Sequence, residues 1–125
     1  MKKQLLIVGL WVCSGMLCQP IQAQSVDKAN EEYKTFVRLN NENGDKGTLY
    51  STLYSCYKEY VAVLSSLKPG NPSYDQAKSA LRDIYPYLQQ GAIYNSQKGS
   101  QQNALLLAQA YIDVPLMEAF RTETF

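Results

Sequence analysis

Apolar side chains recur at three- and four-residue steps through most of residues 26–112, and clusters of Asn, Gly and Pro cut that pattern into short lengths. A period near 3.6 lines one stripe of a helix. A half-buried strand would instead alternate every second residue. The first expected helix runs from a Ser25 cap to about Leu39, with Val26, Ala29, Tyr33, Phe36 and Val37 on one stripe. NNENGDKG (40–47) stops it, because Asn and Gly accept left-handed backbone at little cost. A second helix extends from a Thr48 cap to Leu67 with Leu49, Leu53, Tyr57, Tyr60, Leu64 and Leu67 on its inner face, and KPGNP (68–72) ends it. Ser73 and Gln76 form a capping box for the third helix, whose Ala77, Ala80, Leu81 and Ile84 face inward.

Pro86 then forces a choice. Inside a continuous helix it removes one hydrogen bond and clashes with the Arg82 carbonyl, a cost of ~3 kcal/mol, so a break or sharp kink is expected near 83–86. A fourth helix, with Leu88, Ala92 and Ile93, runs to about Gln97 and ends at Gly99. Ser100 caps a fifth, in which ALLLAQAYI (104–112) is apolar almost all round and requires cover on more than one side. Pro115 opens a sixth, LMEAF, expected to leave Leu116, Met117 and Phe120 poorly covered. No segment of strand length alternates, so the expected fold class is all-α.

The first 23 residues stand apart. Lys2 and Lys3 precede the apolar run LLIVGLWVCSGMLC (5–18), and Ile21 and Ala23 suit the positions flanking a signal-peptidase cut. The run is short of the ~20 residues that span a bilayer, and Leu17 is too large for the residue preceding a lipidated Cys18. The expected organisation is a signal peptide over 1–23, cleaved near Ala23, and one helical domain over 24–125. Cleavage exports the domain from a bacterial cytoplasm, to the periplasm or beyond, and leaves it without a membrane attachment. Cys13, Cys18 and Trp11 depart with the leader. The remaining 102 residues carry 10 basic against 11 acidic side chains and no basic cluster, which gives no footprint for nucleic acid.

Catalytic chemistry has little to work with. The chain has no histidine, hence no imidazole base, shuttle or metal ligand. Cys56 lacks a neighbouring base and is expected as a small buried side chain. Glu31/Glu32 splay apart on a helix, Glu42/Asp45 lie in a polar loop, and both pairs are expected at the solvated surface. No catalytic, cofactor-binding or metal-ligating set is expected, and the chain is read as not an enzyme.

The ten tyrosines are the compositional excess. Tyr50, Tyr54 and Tyr57 make a stripe on the second helix, and Tyr85, Tyr87 and Tyr94 cluster around Pro86. Tyrosine joins a large apolar body to a polar tip, which suits groove walls. The candidate partner-binding groove is therefore Tyr50, Tyr54, Tyr57, Tyr87 and Tyr94 with Asn95 and Gln102.

The stretch GAIYNSQKGSQQNALLLAQAYIDVP (91–115) resembles the tetratricopeptide repeat, a helix–turn–helix unit of about 34 residues. Gly91 falls on the small residue of its first helix and Tyr94 on its aromatic. Leu107 and Ala110 fall on the large and small residues of the second helix, and Pro115 on the closing proline. Asn103 departs from the family's alanine, Lys98 from its turn glycine and Gln90 from a usual leucine. The resemblance implies antiparallel hairpins stacked as a short solenoid and a concave surface that binds a protein or peptide; an irregular four- to five-helix bundle predicts the same helices. About two units are present, which points to the N-terminal part of a longer array, or to a partner or self-association covering the last helix. The expected function is an exported protein-interaction module, with a regulatory segment of a larger secreted enzyme as the alternative.

Overall fold

A computed structural model describes the backbone from Cys18 to Phe125 and the side chains from Val26 onward. The leader expected over 1–23 and its cleavage point lie outside the residues described in full. Among the described residues there are four α-helices, one 3₁₀ turn and no strand: α1 (Cys18–Asn41), α2 (Lys46–Ser66), α3 (Pro72–Gln97), α4 (Gln101–Leu116) and the turn Glu118–Phe120. The fold is all-α, as the periodicity requires.

Ends and starts follow local chemistry, though not always at the residues expected. Ser25 is not a cap, because α1 already runs through it from Cys18. Pro20 does not stop this extension, since a first-turn residue has no intrahelical partner for its N–H. Asn43 takes the left-handed backbone (φ 54°) after α1, and the Gly44 N–H donates back to the Leu39 carbonyl at 2.8 Å. Asp45, not Thr48, caps α2; its carboxylate accepts the Thr48 N–H at 2.8 Å. Asn71, not Ser73, caps α3, accepting the Ser73 N–H at 2.9 Å with Pro72 in the first turn. Ser100 does stand at the start of α4, without a side-chain bond. Gly99 (φ 85°) closes α3, and the Ser100 N–H reaches the Asn95 carbonyl at 2.8 Å.

The break expected at Pro86 does not occur. α3 continues from Pro72 to Gln97 with Pro86 inside it, so the described residues form four helices where five and the start of a sixth were expected. The proline ring is exposed, while Leu81, Ile84 and Leu88 on the opposite face are fully buried. The lost hydrogen bond therefore faces water, which can serve the Arg82 carbonyl, and three buried aliphatic side chains hold the helix together across it. Pro86→Ala is expected to raise stability by about 1–2 kcal/mol: ~3 kcal/mol of helix cost is removed, less ~1 for the freer unfolded chain. Urea denaturation measures it, and a lower midpoint would mean that the packing depends on a proline kink.

Pro115 likewise opens no helix. It is the penultimate residue of α4, and Met117 is extended (ψ 148°) before the 3₁₀ turn. That turn brings Phe120 back to 0% exposure, correcting its expected exposure, whereas Leu116 is 73% exposed as expected.

Side-chain partners give the directions of packing. Tyr60 donates to Asn30 Oδ1 at 2.6 Å and Ser55 to Glu32 Oε2 at 2.6 Å, so α2 runs antiparallel to α1. Tyr85 stacks on Tyr111 at 4.5 Å while Gly91 faces Leu107, which makes α4 antiparallel to α3. Asn30 donates to Gln76 at 2.9 Å and Phe36 meets Tyr87 edge-on at 5.2 Å, so α1 and α3 run parallel. The main packed pairs are consecutive, α1–α2, α2–α3 and α3–α4, with a slighter α1–α3 contact. α3 thus rests against both members of the preceding hairpin. The core runs through all four helices, from Val26, Ala29 and Phe36 through Leu53, Tyr60, Leu81 and Leu88 to Leu107 and Val114.

Full cover of the last helix is not achieved. α4 buries Ala104, Leu107, Ala110 and Val114, yet Leu105 is 67% and Ile112 55% exposed. Among the described residues no helix covers its outer side, and Leu105, Leu106 and Ile112 meet solvent there.

Candidate functional site

Gly91 sits mid-helix in α3, where glycine costs ~1 kcal/mol against alanine. Its position explains that choice. A Cβ there would stand 2.7 Å from Tyr50 Cδ1 and 3.0 Å from Leu107 Cδ1, both too close. The missing side chain lets α2 and α4 approach the same point of α3 from two sides. Tyr50, Ser51 and Tyr54 of α2 and Asn103, Leu106 and Leu107 of α4 then face one another, with Gly47 and Asn95 completing a pocket of about 120 Å³.

Aromatic pairs shape its wall. Tyr50 tilts on Tyr94 at 5.5 Å, and Tyr54 stacks on Tyr57 at 5.8 Å with Lys58 Nζ 5.2 Å above the Tyr54 ring. Asn95 is the one buried polar side chain among the described residues, and its amide donates to the Gly91 carbonyl at 2.8 Å. Burial, then the neighbouring Tyr94 and Tyr87, raises the Tyr50 phenol above its ordinary range.

The candidate groove is therefore gathered only in part. Tyr50, Tyr54 and Asn95 line the pocket, and Tyr57 and Tyr94 back its rings. Tyr87 turns to Phe36 on the α1 side, and Gln102 is exposed and outside the lining. Ser51, Asn103 and Leu106 were missed. Their signal was the spacing: 103, 106 and 107 share a face of α4, as 50, 51 and 54 do on α2. Of the repeat-signature residues, Gly91 is the point of close approach, Leu107 and Ala110 are buried, and Tyr94 braces Tyr50.

Two further sites correct or bear out expectations. Glu31 is exposed and pairs with Lys34 at 3.3 Å, but Glu32 is half-buried, with Oε1 screened from solvent and no partner. Adjacency put the two on different faces, and only one face met solvent. Cys56 is buried as expected, 3.2 Å from the Leu53 carbonyl, and burial together with the Glu32 charge pushes its thiol up to about 12. A thiol held in that form is not a nucleophile at neutral pH.

Burial and the Asp113 charge push Tyr57 to about 12, and burial moves Tyr60 further up. The folded chain keeps these protons at pH values where the unfolded chain releases them, from about 9 for the thiol and 10 for the phenols. Stability is thus intact below pH 9 and falls as pH rises toward 12, by an amount on the order of a few kcal/mol. Urea midpoints between pH 7 and 11 should decline, less steeply for Cys56→Ala; a flat profile would contradict the burial of these groups.

No helix among the described residues is long and apolar enough to cross a membrane. Comparison with protein families, with curated proteins and with solved structures finds no match to this chain.

Proposed function

We propose that this chain is an exported, non-catalytic module of tetratricopeptide-like hairpins that holds a protein partner by one anchored side chain. The observation that carries this reading is the pocket between α2 and α4, whose Tyr50 and Leu107 also pack against Gly91. Its ≈ 120 Å³ falls below the ~300 Å³ at which small-molecule and cofactor sites begin. A space of that size takes a single side chain. Its wall of Tyr50, Tyr54 and Leu107, with Asn95 and Asn103 as polar contacts, matches the composition of anchor pockets at protein interfaces. Leu106 at its edge is 41% exposed and offers an incoming side chain apolar contact. The repeat-like reading is supported by the parallel α1 and α3, by consecutive packing, and by the glycine where three helices meet.

A random peptide library displayed on phage, selected on the full chain and counter-selected on Leu106→Asp, tests this reading. Enriched peptides should share one apolar or aromatic residue and bind Leu106→Asp at least tenfold more weakly, while the variant keeps its helical circular dichroism and melting temperature. Enrichment indifferent to that substitution, or no enrichment, would remove the pocket from the account.

A further inference from the structure

The segment after the 3₁₀ turn forms no regular structure, yet it is held on α3 by specific contacts. The Glu123 carboxylate is clamped between Lys78 and Arg82, the latter at 2.7 Å. The second Arg82 amino group donates to the Thr124 carbonyl at 2.7 Å. The Phe125 ring lies 4.7 Å from Tyr85, 5.2 Å from Phe120 and 4.7 Å from the Arg82 guanidinium carbon.

These contacts have a simple geometry. Lys78, Arg82 and Tyr85 lie at i, i+4 and i+7, one stripe of α3. Glu123 and Phe125 are two residues apart, so an extended segment presents both on one side. The stripe therefore reads a carboxylate, then a backbone carbonyl, then an aromatic ring. Two cations facing one carboxylate, and a guanidinium over a ring, are charge-complementary to that pattern and to few others.

The rings that receive Phe125 have partners of their own besides the tail. Tyr85 is stacked on Tyr111 (interplanar angle 13°), and Phe120 is fully buried in the core. The occupant itself lies at the surface. Arg121–Phe125 are all exposed, and ion pairs at the surface contribute only ~0–1 kcal/mol each. The adjacent Lys78 holds the Glu123 carboxyl below its usual range, so the clamp stays charged at neutral pH.

We infer that the Lys78–Arg82–Tyr85 stripe is a binding site for an extended acid-x-aromatic segment of a partner protein, and that the chain's own Glu123–Thr124–Phe125 is its resident competitor. The site shares no residue with the pocket over Gly91 and stands whether or not that pocket binds. A tethered occupant has an effective concentration in the millimolar range. An incoming segment is therefore weakened in the native chain and gains when the resident one is disabled.

The test uses a fluorescein-labelled peptide of sequence RTETF and the full chain. Glu123→Gln combined with Phe125→Ala should bind it at least tenfold more tightly than the native chain does. Adding Arg82→Gln, or replacing the peptide's glutamate by glutamine, should lower that affinity at least tenfold. Tyr54→Ala should leave it unchanged, which separates this site from the pocket. Equal binding to native and doubly substituted chains, insensitivity to the peptide's carboxylate, or no binding to a doubly substituted chain with a native melting curve would each overturn the proposal. Should the double variant not fold, the native chain decides: millimolar peptide must remove the Phe125–Tyr85 cross-peak from its NMR spectrum, and persistence of that cross-peak overturns the proposal.

Discussion

Gly91→Leu is expected to destabilise the chain by about 3 kcal/mol or more and to abolish the pocket between α2 and α4. A single carbon at 91 would already stand 2.7 Å from the Tyr50 ring and 3.0 Å from a Leu107 methyl. A leucine adds three more carbons to a gap that does not hold the first. Overpacking of this kind typically costs ~1–3 kcal/mol when a side chain can move aside. Here the obstruction is the Tyr50 ring, itself braced by Tyr94 at 5.5 Å and 7% exposed. A gain of ~1 kcal/mol from removing a mid-helix glycine offsets part of the loss. Gly91→Ala resolves the balance: the same helical gain stands against one close methyl, and the net change should be a loss below about 2 kcal/mol. Chemical denaturation of the two variants gives both values. A Gly91→Leu chain as stable as the native one would mean that the three helices do not converge at this point.

The second large effect concerns a residue outside the long helices. Phe120→Ala is expected to cost about 3–5 kcal/mol, lowering the melting temperature by on the order of 15 °C or more. Phe120 is 0% exposed, lies under Lys78 at 5.6 Å and packs edge-on to Phe125 at 5.2 Å. Its removal leaves a ring-sized cavity in the core cluster to which it belongs. Leu116→Ala, only four residues earlier but 73% exposed, should change stability by less than about 0.5 kcal/mol. A thermal melt of each variant separates the two cases. Equal small effects would place Phe120 at the surface.

Much of this architecture could be read from residue spacing. The stripe Leu49, Leu53, Tyr57, Tyr60 announced the inner face of α2, and all four are buried. The breaks at 40–47 and 68–72 fell where left-handed or extended backbone interrupts the helices, at Asn43 and Gly70. Proline was the main source of error. A local rule gave Pro86 a breaking role, but the rule has no knowledge of Leu81, Ile84 and Leu88, whose burial outweighs one solvent-facing lost bond. At Pro115 the same rule chose the start of a helix over the end of one. The caps were misplaced by two or three residues because Asp45 and Asn71 accept the N–H groups of Thr48 and Ser73 themselves, which starts each helix before the hydroxyl residue expected to cap it.

The candidate site was half legible. Tyr50, Tyr54 and Asn95 could be picked by aromatic excess and helical register, and they do share one pocket. The register also puts Asn103 and Leu106 on one face of α4, but that this face meets α2 depends on a tertiary approach that Gly91 permits. Tyr87 has the right chemistry and shares a stripe of α3 with Tyr94, but it lies about 10 Å earlier along the helix, where it meets Phe36 instead. Nothing in the spacing of Lys78, Arg82 and Tyr85 announced a tail-holding stripe, because its partner lies about forty residues away in sequence.

The convergence of α2, α3 and α4 on one glycine is most directly tested by a nuclear Overhauser spectrum of the full chain. Cross-peaks from the Gly91 Hα protons to both the Tyr50 ring and a Leu107 methyl, together with a Phe36–Tyr87 contact, are the expected result. Gly91 protons that touch neither side chain, or contacts that set α1 against α4 as in a closed bundle, would contradict the stacked-hairpin arrangement and the pocket built upon it.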